Sequence, residues 1–362
     1  MLGGETMIFE TMYEPFRIGS CLIPNRLVHS ATFEFAAKEG RITPAIEQFY
    51  EAAARGGSGL IISGMENISP TSGFGSLSVH TRYPEYVKDM ARIVRIVHSY
   101  GAKLFVQLSH CGYRTDWQHG YDTFGPSELA VSPEQTYHAM TKEEIEKLLV
   151  DFAVSARLCQ KAGCDGVQIH CAHGFLLHAF LSPYYNHRHD DWGGSIANRS
   201  RLLLDVCRVV AAAAGPDFPI SVKLSFQDLL SPGISVEDML WVCRKLAAQG
   251  ISMLEISAGT TMDGTAASFS PIRFEGEGPF REYAALAARY VSIPVVSVGG
   301  YRSPLYMERT LRQTGIAAVA MCRPLIREPD LPNRWKTQNV PAACCSCNRC
   351  FSSPGIVSCQ AL

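Results

Sequence analysis

Short runs of apolar and β-branched residues recur along the whole chain, and segments with helical periodicity separate them. Such alternation is typical of parallel strands joined by helices. Eight such runs predict an α/β protein with a closed (β/α)8 barrel, the TIM-barrel architecture. The predicted strands cover residues 27–30, 59–63, 103–108, 166–170, 220–224, 253–257, 294–298 and 318–322.

Residues that favour helix starts mark several of the intervening segments. Thr43 precedes Pro44, so a capping hydroxyl would stand before a proline at the first helical position. Thr141 and Glu144 have the spacing of a capping box. Long helices are predicted over residues 145–162 and 197–213.

The simplest division is one barrel over residues 1–335 and a short cysteine-rich tail over residues 336–362. Residues 9–24 precede the first strand and are predicted to form a small hairpin that closes the bottom of the barrel. The longest insertions, residues 111–135 and 175–198, follow the third and fourth strands. Long loops on that face usually carry function.

Composition removes several functional classes. The net charge of the 362 residues is −1, and the sequence pI is about 6.8, which does not indicate a partner that is nucleic acid or a membrane surface. No apolar run reaches the roughly 18 residues of a membrane span. The N-terminal residues lack the pattern of a secretory signal, so we expect a cytoplasmic protein.

Cysteine is concentrated at one end of the chain. Of the 13 cysteines, five lie between Cys344 and Cys359, which suggests a thiol-rich site in a reducing compartment. Cys344, Cys347, Cys350 and Cys359 have a ligand-like spacing, with Cys345 to spare. Four thiolates suit a [4Fe-4S] cluster or zinc, and a tail that binds nothing stays open as well.

Two histidines follow the fourth predicted strand, where a barrel collects its chemistry. His170 and His173 are candidates for metal ligands, acid–base groups or oxyanion donors, and satisfied core histidines remain an alternative. No obvious carboxylate cluster accompanies them in the sequence, which makes a zinc site a weaker interpretation.

Two turns near the end of the barrel have features of a phosphate site. Gly299 and Gly300 end the seventh strand, and Arg323 follows the eighth, where many barrels bind phosphate. Gln107 and Lys223, near the ends of strands three and five, would suit the polar edge of a planar heterocycle. The plain alternatives are a tight turn, a surface arginine and a lysine that reaches solvent.

These residues belong to longer matches with a known family. The chain resembles the old yellow enzyme family of FMN-dependent ene-reductases, also called NADH:flavin oxidoreductases, over residues 13–335. The resemblance rests on nine short segments that together are highly specific. They cover residues 24–26, 30–32, 106–110, 169–176, 180–183, 191–195, 198–199, 298–300 and 323–327.

The resemblance implies a role for each matching residue. Ser30, Ala31 and Thr32 would lie against the flavin of FMN, Gln107 would bind its pyrimidine edge, and Lys223 would stabilise its reduced, anionic form. Gly299, Gly300 and Arg323 would hold the phosphate, and Gly64, Met65 and Cys322 would complete the flavin site. NADH or NADPH would reduce the flavin. Flavin N5 would then deliver hydride to an α,β-unsaturated carbonyl compound, an enone or enoate, whose oxygen His170 and His173 would hold.

The sequence departs from the family pattern at two positions. Many members have a tyrosine proton donor where this chain has Phe175, and phenylalanine cannot donate a proton. Phe33 occupies the position on the first strand that often tunes the flavin potential. Either another acid or water would then supply the proton, or the substrate is unusual. The candidate acids on the long loops are Cys111, Tyr113, Tyr184 and Tyr185.

Larger members of the family carry a [4Fe-4S] cluster just after the barrel, and the cysteine tail resembles that motif. Those members continue into a dinucleotide-binding portion, whereas this sequence ends at Leu362. Either the cluster has lost its electron source or a partner protein supplies electrons. The alternatives to an ene-reductase are therefore a flavin and iron–sulfur electron-transfer subunit, or a zinc-dependent lyase or hydrolase using the histidine pair. The sequence is also compatible with a homo-oligomer.

Overall fold

A computed structural model describes residues 9–73, 75–115, 120–133, 135–260, 276–352 and 355–361. The strands in chain order are β1 (Phe16–Ile18), β2 (Cys21–Ile23), β3 (Leu27–His29), β4 (Leu60–Ile62), β5 (Glu66–Asn67), β6 (Lys103–Ser109), β7 (Phe124–Gly125), β8 (Leu129–Ser132), β9 (Gln135–Ala139), β10 (Gly166–Cys171), β11 (Ile220–Ser225), β12 (Met253–Ser257), β13 (Val295–Val298) and β14 (Ala318–Met321). The helices are α1 (Glu10–Tyr13), α2 (Pro44–Arg55), α3 (Tyr86–Ser99), α4 (Lys142–Lys161), α5 (Leu176–Leu181), α6 (Ile196–Arg199), α7 (Arg201–Ala214), α8 (Val236–Ala248), α9 (Arg281–Tyr290), α10 (Pro304–Thr314), α11 (Arg323–Arg327) and α12 (Leu331–Arg334).

Eight parallel strands close into a barrel in the order β3, β4, β6, β10, β11, β12, β13 and β14, and β14 pairs with β3. The eight predicted strands agree with these to within one residue at each end. The TIM-barrel prediction is therefore confirmed. It succeeds because strands buried on both faces are continuous apolar runs.

Alternate residues of each barrel strand face two different cores. On β6, Leu104 and Val106 pack in the outer core between barrel and helices, whereas Phe105 packs inside the barrel. Met253 at the start of β12 belongs to the same interior cluster as Phe105. The period of two follows from strand geometry and determines which residues the barrel can offer to a ligand.

The N-terminal hairpin of β1 and β2 packs against the lower end of this interior. Phe16 pairs with Ile23 in antiparallel register, and both belong to the inner cluster together with Leu60 at the start of β4. The hairpin predicted over residues 9–24 is confirmed. The hairpin therefore covers the barrel interior at the end where the strands begin.

The helix predictions need two corrections. The capping box of Thr141 and Glu144 is present at the start of α4. Thr43 does precede α2, but its hydroxyl donates to the Ala36 carbonyl at 2.7 Å instead of capping the helix. The helix predicted over residues 197–213 is divided into α6 and α7 at Ser200.

The insertion after β6 and the tail both depart from plain loops. The insertion contributes β7, β8 and β9, which form a small sheet of their own. The tail returns to the barrel mouth, where the Val357 amide donates to the Glu34 carbonyl at 2.8 Å and the Ala342 amide to the Arg302 carbonyl at 2.9 Å.

In the part of the chain described here, no helix has the length and apolar character needed to cross a membrane.

Two carboxyl groups are buried beside the ends of the first barrel strands. Glu34 accepts hydrogen bonds from the Gly64 amide at 3.1 Å and from the Tyr50 hydroxyl. Glu66 accepts one from the Tyr86 hydroxyl at 2.5 Å. Burial raises the pKa of Glu34 to about 7 and the pKa of Glu66 to about 8.

These carboxyl groups should make the fold less stable as pH rises. Between pH 4.5 and about 7, Glu34 ionises in the unfolded chain but keeps its proton in the folded one. The free energy of unfolding then falls by about 1.4 kcal/mol per pH unit for each such group. Glu34→Gln should flatten this dependence in urea denaturation measured across that range. Glu146→Gln, at a side chain that is 65% exposed, is the matched control. An unchanged slope in Glu34→Gln would contradict the assignment.

Candidate active site

A layer of polar side chains crosses the barrel interior above the apolar cluster. The Gln107 amide donates to the Gln168 carbonyl oxygen at 2.7 Å, and the Gln168 amide donates to Glu255 Oε2 at 2.8 Å. Lys223 and Ser30 bind the other oxygen of Glu255. This polar layer of five side chains joins β6, β10, β11 and β12 with the residue after β3, because inward positions on neighbouring strands meet inside the barrel.

The charged part of the polar layer is the ion pair of Lys223 and Glu255. Lys223 Nζ lies 3.0 Å from Glu255 Oε1 and donates to Ser30 Oγ at 3.0 Å. The Ser30 hydroxyl in turn donates to Glu255 Oε1 at 2.7 Å. Both charged side chains are almost fully buried, so their mutual attraction and these hydrogen bonds must offset the cost of removing two charges from water.

The turn after β10 holds His173 in an unusual backbone conformation. Its φ of +60° lies in the left-handed region, and Gly174 follows with φ of +82°. The His173 amide donates to Ser225 Oγ at 2.9 Å, and its carbonyl accepts from Arg114 at 2.8 Å. The ring Nε2 lies 2.8 Å from Ser257 Oγ. The imidazole is therefore fixed by its backbone and by one serine.

The surroundings of both histidines favour the neutral form of the ring. Burial lowers the pKa of His170 and of His173 well below the usual range, and the nearby positive charge of Lys223 lowers each further. The ring centroids of the two histidines lie 5.7 Å apart, and His170 lies 4.6 Å from the Phe175 ring. His170 Nδ1 is buried and has no hydrogen-bond partner among the described atoms. A neutral imidazole donates a proton from one nitrogen only, which suits binding of a single oxygen.

A cavity opens above the polar layer, where the barrel strands end. It brings together most of the residues predicted for a flavin site. Those that line it are Ser30, Ala31, His173, Lys223, Gly299, Gly300, Cys322 and Arg323.

Other predicted residues lie near the cavity without lining it. Thr32 donates to the Ser30 carbonyl and lies 3.0 Å from Cys322 Sγ. Gly64 packs against the Glu34 carboxylate, and a Cβ there would be 2.3 Å from it. Met65 packs with Cys111 and Phe175. Gln107 and His170 are buried and are absent from the described lining. For these residues a direct flavin contact stays a prediction.

The two glycines after β13 would allow a ligand to come close to the backbone. Gly299 and Gly300 have φ of +124° and +69°, which side chains rarely adopt. Arg323 is the first residue of α11, the helix that follows β14, and β14 is the strand next to β13. Its NH1 donates to Asn348 Oδ1 at 2.7 Å, so the tail holds the guanidinium in place.

The candidate proton donors are not at the cavity surface. Cys111, Tyr113, Tyr184 and Tyr185 are all missing from its described lining. Burial raises the pKa of Cys111 to about 12 and that of Tyr185 to about 12, which makes both weak acids. Phe175 itself lines the cavity.

The five cysteines of the tail surround a second, small cavity, the cysteine pocket. It is lined by Cys344, Cys345, Cys347, Cys350 and Cys359 together with Arg323, Arg327 and Asn348. Arg323 therefore faces both cavities. Over the described ranges, no group of three or more His, Cys, Asp or Glu side chains is placed to hold a single metal ion.

Sequence reasoning missed several residues of the site. Gln168 and Glu255 each interrupt an apolar strand at the same inward period as His170 and Lys223, and that signal would have revealed them. Two tail residues, Ser346 and Phe351, also line the main cavity. No sequence pattern points to them, because the tail has no periodicity.

The fold and the cavity define an α/β-barrel protein with a ligand site at the carboxyl ends of its strands, where barrel enzymes have their active sites. The chain belongs to the NADH:flavin oxidoreductase / NADH oxidase family, whose profile matches residues 11–340. The predicted family, that of old yellow enzyme, is thus confirmed.

Individual relatives agree with this placement. The chain is 33% identical over 350 residues to an NADH oxidase from Thermoanaerobacter brockii, covering 94% of this chain and 53% of that protein. It is 29% identical to an NADPH dehydrogenase from a Geobacillus species over 91% of this chain and 93% of that one. The old yellow enzyme homologue from Zymomonas mobilis superposes with a TM-score of 0.77 at 26% identity, covering 91% and 94%. The chain spans about half the length of the first curated relatives it matches.

The buried ion pair of Lys223 and Glu255 should contribute measurably to the free energy of unfolding. Lys223→Met leaves the Glu255 carboxylate buried without its cation, which should lower the free energy of unfolding by about 3–5 kcal/mol. The double variant Lys223→Met/Glu255→Gln removes the unpaired charge and should recover much of this loss. Urea denaturation of the flavin-free protein measures both. Equal losses in the two variants would show that the pair is not what Lys223 contributes.

Proposed function

We propose that this chain binds FMN and uses NADH or NADPH to reduce the carbon–carbon double bond of an α,β-unsaturated carbonyl compound. One observation carries the proposal. A single cavity is lined by Gly299, Gly300 and Arg323 at the ends of β13 and β14 and by His173 after β10, and His170, the last residue but one of β10, is buried next to that turn. In the order of the barrel, β10 and β14 are opposite each other. The cavity therefore offers a phosphate end and a carbonyl end across the barrel mouth.

The residues present fit FMN. The Gly299 and Gly300 backbone leaves room for phosphate oxygens, and Arg323 adds a positive charge beside them. Lys223, whose ammonium group is held by Ser30 and Glu255, also lines the cavity. Bound FMN would supply hydride transfer between a nicotinamide and the substrate alkene.

The histidines would act on the substrate oxygen. Because both rings are neutral, each can donate one N–H to a carbonyl oxygen on which negative charge develops. The buried and unpartnered Nδ1 of His170 is consistent with a polar group expected from outside the chain. One such donor is typically worth about 3 kcal/mol of barrier.

Proton delivery to the alkene would then fall to solvent. Phe175 has no proton to give, and none of the four candidate side chains lines the cavity in its described part. A water molecule entering from the open mouth fits this arrangement.

His170→Ala should separate cofactor binding from turnover. We expect the variant to retain stoichiometric yellow flavin, because His170 lies away from the phosphate end, and to reduce 2-cyclohexenone about 100-fold more slowly or worse. His98→Ala, at a surface histidine paired with Asp165, is the control. Flavin absorbance and anaerobic turnover with both nicotinamides are the measurements. A colourless wild-type protein that takes up no added FMN would overturn the proposal.

We also propose that the tail binds a [4Fe-4S] cluster, which makes flavin-to-cluster electron transfer the second candidate function. The supporting observation is the cysteine pocket, which shares Arg323 with the lining of the main cavity. The pocket offers five cysteine side chains, one more than a cubane cluster needs, so one of them would not bind the cluster. A partner protein would then exchange electrons with the cluster.

Anaerobic purification tests this second proposal. We expect about four iron and four sulfide per chain. Cys347→Ala should lose most of the iron, whereas Cys345→Ala, outside the predicted set, should keep it. Iron, sulfide and zinc analysis with an electron paramagnetic resonance spectrum of the reduced protein decides the matter. Stoichiometric zinc, or no metal at all, would contradict the cluster.

A further inference from the structure

The charges that line the main cavity are all of one sign. Its described lining includes four cationic side chains, Arg114, Lys223, Arg302 and Arg323, and no aspartate or glutamate. Three of these four side chains have partners away from the histidine pair. Lys223 pairs with Glu255, Arg323 binds Asn348 of the tail, and Arg302 donates to the Gly276 carbonyl.

Arg114 is the cation at the carbonyl end. Its guanidinium carbon lies 4.8 Å from the centre of the Phe175 ring, and its NH1 donates to the His173 carbonyl at 2.8 Å. Arg114, His173 and Phe175 all line the cavity together. The ring contact and the hydrogen bond hold a planar guanidinium, the group best suited to bind a carboxylate through two hydrogen bonds, at the cavity wall beside His173.

We propose that Arg114 is the binding site for a carboxylate of the substrate, so that this chain acts on α,β-unsaturated acids. The inference deepens the proposed function and rests on it. The carboxylate would lie between Arg114 and the histidine pair, with its alkene directed at the middle of the cavity.

The chemistry of an unsaturated acid requires such a cation. In the reduction, the π bond of the alkene breaks, one carbon takes the hydride that NAD(P)H loses, and the other takes a proton from solvent. When the activating group is a carboxylate, the hydride adds a second negative charge to an oxygen pair that already carries one. The neutral histidines can donate hydrogen bonds to that charge but cannot neutralise it.

Arg114 stays charged where the histidines do not. Burial lowers the pKa of Arg114 only to about 10, so the guanidinium is protonated throughout the neutral range. It therefore supplies the positive charge at the one place where the reacting group needs it. An uncharged enone has less need of it, which makes Arg114 a residue that determines specificity.

The test compares cinnamate with cinnamamide, which share shape but not charge. Calorimetric titration of the purified protein should show that wild type binds cinnamate about 10- to 100-fold more tightly than the amide. Arg114→Gln should remove that preference by weakening cinnamate binding, with little change for the amide. Arg114→Lys keeps the charge but loses the planar fork, so it should retain part of the preference. Arg157→Gln, at an exposed position on α4, is the control.

Arg114 also donates a hydrogen bond to the His173 carbonyl, so it could act only by positioning that turn. Comparing cinnamate with cinnamamide distinguishes this positioning role from direct binding of the carboxylate. If Arg114→Gln weakens both ligands equally, the arginine only positions the turn and the proposal is wrong. A wild-type protein that binds amide and acid equally overturns it without any variant. Reduction of 2-cyclohexenone without a preference for the acid would leave the proposed function intact and remove this inference. Arg114-dependent binding of cinnamate without any reduction would overturn the proposed function and, with it, the claim that the chain acts on unsaturated acids, and would leave only a carboxylate-binding site at Arg114.

Discussion

The ion pair of Lys223 and Glu255 inside the barrel is the interaction on which the site depends. Two buried charges are costly unless each is paired and hydrogen-bonded, and here Ser30 and Gln168 supply the remaining bonds. The contacts connect strands that are far apart in sequence, so the barrel must close before the charges are satisfied. The floor of the cavity is thus built by the fold itself, and the loops above it only add the walls.

The barrel interior changes character along its axis. At the lower end, Phe105 and Met253 pack with the N-terminal hairpin and exclude water. One step further along the same strands, the inward positions become Gln107 and Glu255. The final inward position on β12 is Ser257, which contacts His173. Stability and chemistry therefore occupy successive layers of one set of strands, as is usual for barrels.

The sequence was sufficient for the barrel and for the groups at its mouth, but not for the connections between them. Strand positions could be predicted because apolar runs need no knowledge of neighbours. The pairing of Ser30 with Glu255 spans 225 residues and depends on closure and register, which periodicity does not reveal. Arg114 lies in an insertion and Asn348 in an irregular tail, so their partners His173 and Arg323 could be known only from the folded chain.

The left-handed backbone of His173 limits how this position can vary through evolution. At a φ of +60°, glycine, asparagine and aspartate are tolerated with histidine, whereas branched side chains are strained. Of these, only asparagine shares with a neutral histidine both the conformation and an N–H donor. The backbone therefore filters substitutions before chemistry does. A descendant protein can exchange the imidazole for an amide at this turn without rebuilding it, but cannot readily exchange it for most other residues.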